Sequence, residues 1–209
     1  MPNEGIVHVV DDDLAVRQSL SFLLATAGIP ARLHESAAAF LSNVKDDVTG
    51  CIITDVRMPE IDGIEFLRRL RARGLTVPVI VITGHADVPL AVEAMKQGAM
   101  DFIEKPFDDD LLIAAVRTAL ERHERHAHQD AQTAEVQARL QSLSERERQV
   151  LDGLVAGKAN KIIAYDLGIS PRTVEIYRAN VMSKMQANSL SELVRMVLLV
   201  GDWSGAIIP

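Results

Sequence analysis

The stretch CIITDVRMPEIDG, residues 51–63, runs an apolar segment into an aspartate and then into an Asp-Gly turn. Cys51–Thr54 has the length and composition of a buried parallel strand, which places Asp55 at its carboxyl end. Three similar runs lie around it. Ile6–Val10 is followed by Asp11-Asp12, Val79–Ile82 by Thr83, and Asp101–Glu104 by Lys105-Pro106. In open α/β sheets, chemistry gathers outside the carboxyl ends of the strands. One such sheet brings three carboxylates, a hydroxyl and an ammonium to a single rim.

Helical patterns separate the strands. Leu14–Ala27 is amphipathic, with Leu14, Leu20, Leu23 and Leu24 as its apolar positions and Gly28 just beyond. Asp13 reads as its cap. Ala31–His34 is a weak, half-exposed second strand, and Ser36 caps a helix reaching about Asn43. Gly63–Arg73 turns Ile64, Leu67 and Leu70 inward and Arg68, Arg69, Arg71 and Arg73 mostly outward, as a solvated face. Val88–Gln97 forms a helix that stops at Gly98. Another begins at the acids Asp108–Asp110, which suit a helix N-terminus, and carries Leu111, Leu112, Ala115, Val116 and Leu120. Strands and helices alternating over about 120 residues predict a doubly wound α/β domain with a five-stranded parallel sheet.

Residues 121–139 are polar, lack Pro and Gly, and continue that helix as a linker. His123, His126 and His128 have helical spacing for a metal, but a solvated helix face is the simpler reading. Beyond Leu140 the pattern is all-helical. Ser144 and Glu147 make a capping box for a helix over 145–156. Asn160–Leu167 stops at Gly168, Ser170 caps Pro171–Met185 with Pro at its first position, and Ser191 with Leu190, Leu193, Val194, Val197 and Leu198 makes a fourth helix. The tail from 201 is expected to fray. The domains are therefore 4–122, a linker over 123–140, and 141–205.

Composition narrows the class. With 48% hydrophobic but only 4% aromatic residues, the core must be aliphatic. No apolar run reaches the ~18 residues of a membrane span, and the N-terminus does not resemble a signal peptide. Cys51 reads as a buried small hydrophobe, which fits a reducing cytoplasm. Residues 1–140 carry 14 Lys and Arg against 22 Asp and Glu, whereas residues 141–209 carry 8 against 7. The acidic balance argues against a strong non-specific nucleic-acid binder and leaves room for a small DNA-reading module with its charges placed on one face.

The rim suits phosphoryl transfer. Mg²⁺ takes about six oxygens, usually one or two carboxylates with water and phosphate. An aspartate can serve as the nucleophile, and catalysis is mostly placement and charge neutralisation. Lys105 and a metal would offset the phosphoryl charge from two sides, and Thr83 offers a hydroxyl.

VVDDD at 9–13, TDVRMPEIDG at 54–63, VITGHAD at 81–87 and FIEKPF at 102–107 resemble the receiver domain of two-component response regulators over about residues 4–122. The resemblance implies a flavodoxin-like, CheY-like fold. It makes Asp55 the phosphoacceptor, with Mg²⁺ held by Asp11, Asp12, Asp55 and the main-chain carbonyl of Arg57. Thr83 and Lys105 would contact the phosphoryl group, and Lys105-Pro106 would be cis. Phe102 stands at the switch-aromatic position, where Tyr is more usual. The responsive surface would include Val88, Leu90, Val92 and Lys96, of which Val88 and Leu90 could instead be core.

The helices 160–167 and 171–185 form a helix-turn-helix, whose second helix enters the major groove. Val174, Tyr177, Val181 and Met185 are the core stripe. Lys161, Arg172, Arg178 and Lys184 fall to phosphates, and Glu175, Ile176 and Ala179 to base edges. Thr173 belongs to the same DNA-binding set. Residues 143–185 resemble the output domain of the LuxR/NarL/FixJ family, with Ile162 departing from its usual acidic residue. ISPRTVEIYRANVM is most similar to the nitrogen-fixation branch, which implies an oxygen-sensing haem kinase as donor.

The whole reads as a phosphorylation-controlled transcription activator, not an enzyme. A cognate histidine kinase, promoter DNA, RNA polymerase and a second copy of the chain are its partners, and none is a membrane. Two other readings use the same residues. In a haloacid-dehalogenase-type phosphatase, Asp11-x-Asp13 would be the nucleophile motif, but Asp55 would then have no role. A constitutive DNA-binding protein with a degenerate receiver would have no need of the intact acid–Thr–Lys set.

Overall fold

The computed structural model describes residues 5–43, 48–84 and 88–201. The chain divides into two compact units, Met1–Ala127 and His128–Pro209.

The first unit contains β1 (Val7–Val10), α1 (Leu14–Thr26), β2 (Ala31–His34), α2 (Ala37–Asn43), β3 (Cys51–Asp55), α3 (Gly63–Ala72), β4 (Val79–Thr83), α4 (Val88–Lys96), β5 (Asp101–Glu104) and the start of α5 (Asp109–Gln141). The strands form one parallel sheet in the order β2-β1-β3-β4-β5. Strand alternation divides the core in two. Val7, Val9, Cys51, Ile53, Ile80, Ile82 and Ile103 meet α1 and α5 through Leu20, Leu24, Leu112 and Val116. Val10, Ile52, Val79 and Val81 meet α2, α3 and α4 through Phe40, Phe66, Leu67, Leu70 and Ala94. Both faces are covered, which is why these strands read as continuous apolar runs rather than alternating ones.

Caps set the helix starts. Asp13 accepts from the Ala15 amide at 2.7 Å, Ser36 from Ala39 at 3.0 Å, and Asp62 from Glu65 at 2.7 Å. The helix amphipathicity is looser than expected at its edges, since Leu14 is 57% and Leu111 54% exposed. In α4, Val88 and Val92 are exposed whereas Leu90 packs on the core. That resolves which of the two uncertain positions is core. Arg71 departs from the solvated face expected of it. Its guanidinium donates to the carbonyls of Leu75, Val77 and Gly98 at 2.6–3.1 Å, and Arg73 donates to Leu41. The acceptors of Arg71 are loop carbonyls, which no helical periodicity reveals.

His8 and His34 form a buried pair, Nδ1 to Nε2 at 3.0 Å, edge-on to Phe40. Burial, then the neighbouring His8 and Arg32, push His34 down to about 4; burial and Arg32 also lower His8. A depressed base stabilises the fold fully above its unfolded value near 6.5, and that stability drains as pH falls toward 4. We expect the receiver unit to lose about 3 kcal/mol over that window from His34, measured by urea unfolding. His34→Gln should remove much of the slope.

The helix α5 continues unbroken into the second unit, as its polar composition suggested. There follow α6 (Glu145–Val155), α7 (Asn160–Leu167), α8 (Pro171–Met185) and α9 (Leu190–Leu199). Val136 and Leu140 of α5 join Val150, Leu151, Ile163, Val174, Val181, Met185 and Leu193 in one core. Among the described residues no helix is long and apolar enough to cross a membrane. The first four residues, and most of the tail expected to fray, lie outside the described residues.

Candidate functional site

The strand ends converge as their sequence positions require. Asp55 and Thr83 are the last residues of β3 and β4, in a register that pairs Asp55 with Ile82. Lys105 follows β5, and its amide donates to the Thr83 carbonyl at 2.8 Å. The Lys105-Pro106 peptide is cis. Lys105 Nζ lies 2.9 Å from Asp55 Oδ1 and 3.4 Å from Asp11 Oδ2, so one ammonium bridges two carboxylates. Asp55 Oδ2 accepts the Arg57 amide at 2.7 Å, and Asp11 Oδ1 accepts that of Asp13 at 2.8 Å. Asp11 is buried, Asp12 exposed, and Thr83 fully buried. The last three residues of the 81–87 motif lie outside the described residues.

Burial raises the Asp11 carboxyl above the ordinary carboxylate range, against the Asp13 amide and Lys105, which lower it. A buried acid of this kind is stabilised as an anion by added positive charge. Among the described residues no three His, Cys, Asp or Glu side chains form a metal-holding group by themselves. The donors on offer are two or three carboxylates and a main-chain carbonyl. That hard-oxygen set, completed by water, fits Mg²⁺ and not a thiolate- or imidazole-seeking ion.

Two supports were not legible in the sequence. Arg17 of α1 donates to the main-chain carbonyl of Asp11 at 2.6 Å and so orients the acid pair. Gly63 sits where a Cβ would lie 2.3 Å from the Asp55 carbonyl oxygen, while its amide donates to Val56 at 2.9 Å. Gly63→Ala should therefore destabilise the receiver unit by about 1–3 kcal/mol in urea unfolding and slow any reaction at Asp55.

Phe102 is half-buried on the α2–α4 side of the sheet, packed against that core, with its amide bonded to its neighbour Asp101. Glu60, in the loop after Asp55, takes a positive φ of 63°, a conformation that costs a non-glycine residue free energy.

In the second unit, Gly168 ends α7 in the left-handed region at φ 64°, and Ser170 caps α8 by accepting from Thr173. Val174, Val181 and Met185 are buried and Tyr177 packs on them. Arg172, Glu175, Ile176 and Ala179 share the opposite, exposed face; Arg178 is half-buried beside it, and Lys161 of α7 is exposed. Two residues of the expected DNA-binding set also bond within the protein. Thr173 is half-buried with its hydroxyl 2.8 Å from that of Ser170, within the cap. Lys184 directs its ammonium to the buried carboxylate of Glu147 at 2.7 Å. Its partner is 37 residues away in sequence, beyond any helical spacing.

The family model for the response regulator receiver domain matches residues 7–117, and that for bacterial regulatory proteins of the luxR family matches 141–197. The transcriptional regulatory protein FixJ of Azorhizobium caulinodans is 62% identical over 96% of this chain and 95% of its own length. The FixJ protein of Rhizobium meliloti is 56% identical, covering 93% of this chain and 96% of its own. Full-length FixJ from B. japonicum is 54% identical, with a TM-score of 0.59 over 95% of this chain and 98% of that one. The response regulator StyR gives a TM-score of 0.85 at 37% identity, over 92% and 98%. Receiver domains bind Mg²⁺ at the acidic phosphorylation site. The chain belongs to the FixJ family of response regulators, transcriptional regulators and not enzymes, in which a CheY-like receiver precedes a LuxR-type DNA-binding domain.

Proposed function

We propose that a sensor histidine kinase phosphorylates Asp55 and that the acyl phosphate drives dimerisation and sequence-specific promoter binding. The single observation that carries this reading is the Lys105 ammonium between the Asp55 and Asp11 carboxylates. It pairs with the nucleophile and stands where phosphoryl charge must be met. One Asp55 carboxylate oxygen attacks phosphorus. The P–N bond to the kinase histidine breaks, and the imidazole leaves and takes up a proton. Lys105 then moves its hydrogen bond to a phosphoryl oxygen, and Thr83 supplies a second. Asp11, Asp12, Asp55 and the Arg57 carbonyl would hold Mg²⁺, which would supply charge neutralisation there.

The receiver is 4–122, the linker 123–140 and the DNA-binding domain 141–205. Phe102 and the exposed Val88 and Val92 of α4 respond to the phosphoryl group, alongside Leu90 and Lys96. Moving an equilibrium from 1:99 to 99:1 takes about 5.5 kcal/mol, which a phosphoryl switch and a dimer interface supply together. A dimer also matches paired half-sites one DNA turn apart. Lys161, Arg172 and Arg178 hold phosphates; Glu175, Ile176 and Ala179 read bases. The chain works in the cytoplasm with RNA polymerase. Its similarity to the nitrogen-fixation branch favours nitrogen-fixation genes as targets and an oxygen-sensing haem kinase as donor.

Sedimentation of the full chain with acetyl phosphate and Mg²⁺ tests this. Uptake of one phosphoryl group with a shift from monomer to dimer is expected; uptake without any shift would contradict the dimer switch.

A further inference from the structure

The C-terminal end of α8 is held by two cations from different directions. A helix ends in carbonyls without intrahelical partners and carries partial negative charge there. Arg139, in the last turns of α5, donates to the Met185 carbonyl at 3.1 Å and is itself steadied by Glu135 at 2.7 Å. Lys184 reaches Glu147 of α6 at 2.7 Å and the Ser142 carbonyl at 3.4 Å. Glu147 is 4% exposed and also accepts the Ser144 amide at 2.8 Å, and these bonds hold its carboxyl below the ordinary range. The sequence pattern assigned Lys184 to DNA and gave Arg139 no role.

Resting on the DNA-binding reading above, we propose that Arg139 and Lys184 are positioning residues for DNA recognition, clamping the end of α8 to α5 and α6 without touching DNA. The 15 residues of α8 span about 22 Å. A tilt of about 5° at the clamped end therefore shifts the far end by about 2 Å. Base-edge hydrogen bonds tolerate only a few tenths of an ångström, whereas flexible cations follow a phosphate. Loosening the clamp thus removes sequence discrimination before it removes general affinity.

The test uses the full chain with acetyl phosphate and Mg²⁺. One duplex is enriched from a random library by the wild type, and one is a scrambled control. Affinities are measured across a salt series for wild type, Arg139→Met, Arg139→Lys, Lys184→Gln and Arg172→Gln. Arg139→Met and Lys184→Gln should each weaken enriched-duplex binding about ten-fold, with scrambled-duplex affinity and salt slope unchanged. Arg139→Lys should recover most of the loss, and Arg172→Gln should lower the salt slope by about one phosphate. A slope lowered by Lys184→Gln would make it a phosphate contact and overturn the proposal. So would equal losses on both duplexes with a lower helical melting temperature, or no loss at all. A wild type that enriches no duplex overturns the DNA-binding reading itself, and the clamp with it.

Discussion

Asp55→Asn is expected to take up no phosphoryl group from acetyl phosphate and Mg²⁺, as read by intact mass, under conditions that modify the wild type fully. The amide has no free carboxylate to attack phosphorus. The backbone around it is independent of that charge, because Asp55 sits in the β3 ladder and Gly63 bonds the next carbonyl. An amide oxygen can still accept the Arg57 N–H. The fold should therefore survive, with a urea midpoint close to wild type. Neighbouring acids offer no substitute. Asp13 is spent on the α1 cap, and Asp11 already accepts the Asp13 amide and Lys105. Labelling of Asp55→Asn at either residue would overturn the assignment and revive the phosphatase-type reading.

Lys105→Met has the second large effect. The ammonium is the positive charge that bridges Asp11 and Asp55. Without it the two carboxylates repel, and the transferring phosphoryl group loses a fixed cation. Loss of one pre-organised donor of this kind costs about 10²-fold or more in rate. Phosphoryl uptake, followed by mass at saturating acetyl phosphate and neutral pH, should slow by about 10²-fold. The remaining uptake should improve DNA binding little, since no ammonium draws β5 toward the phosphoryl oxygens. A wild-type rate would place the charge neutralisation elsewhere.

Much of this architecture is legible in the chain because burial and chemistry point the same way. Three fully buried strands define the centre of the sheet, and the rim residues stand at or just beyond the strand ends. Caps at Asp13, Ser36, Ser144 and Ser170 name their helices because a side-chain oxygen must meet an orphan amide close by. What escapes is pairing between residues far apart in sequence. Arg71 looks like one of four solvated arginines until loop carbonyls surround it. Lys184 lies on the expected cationic rim of the recognition helix, and only the tertiary fold brings Glu147 beneath it. His8 falls at an inward strand position, but its partner His34 stands on a strand whose weak pattern suggested solvent. Gly63 looks like an ordinary turn glycine, and its need for closeness to Asp55 appears only when the chain is folded.

The most direct test of the phosphorylation switch is the affinity of the full chain for its enriched duplex, with and without acetyl phosphate and Mg²⁺, in wild type and Asp55→Asn. Tighter binding on phosphorylation in the wild type alone, with one phosphoryl group at Asp55, is the predicted result. Strong binding that is the same in all four samples would contradict it and leave a DNA-binding protein that its receiver does not govern.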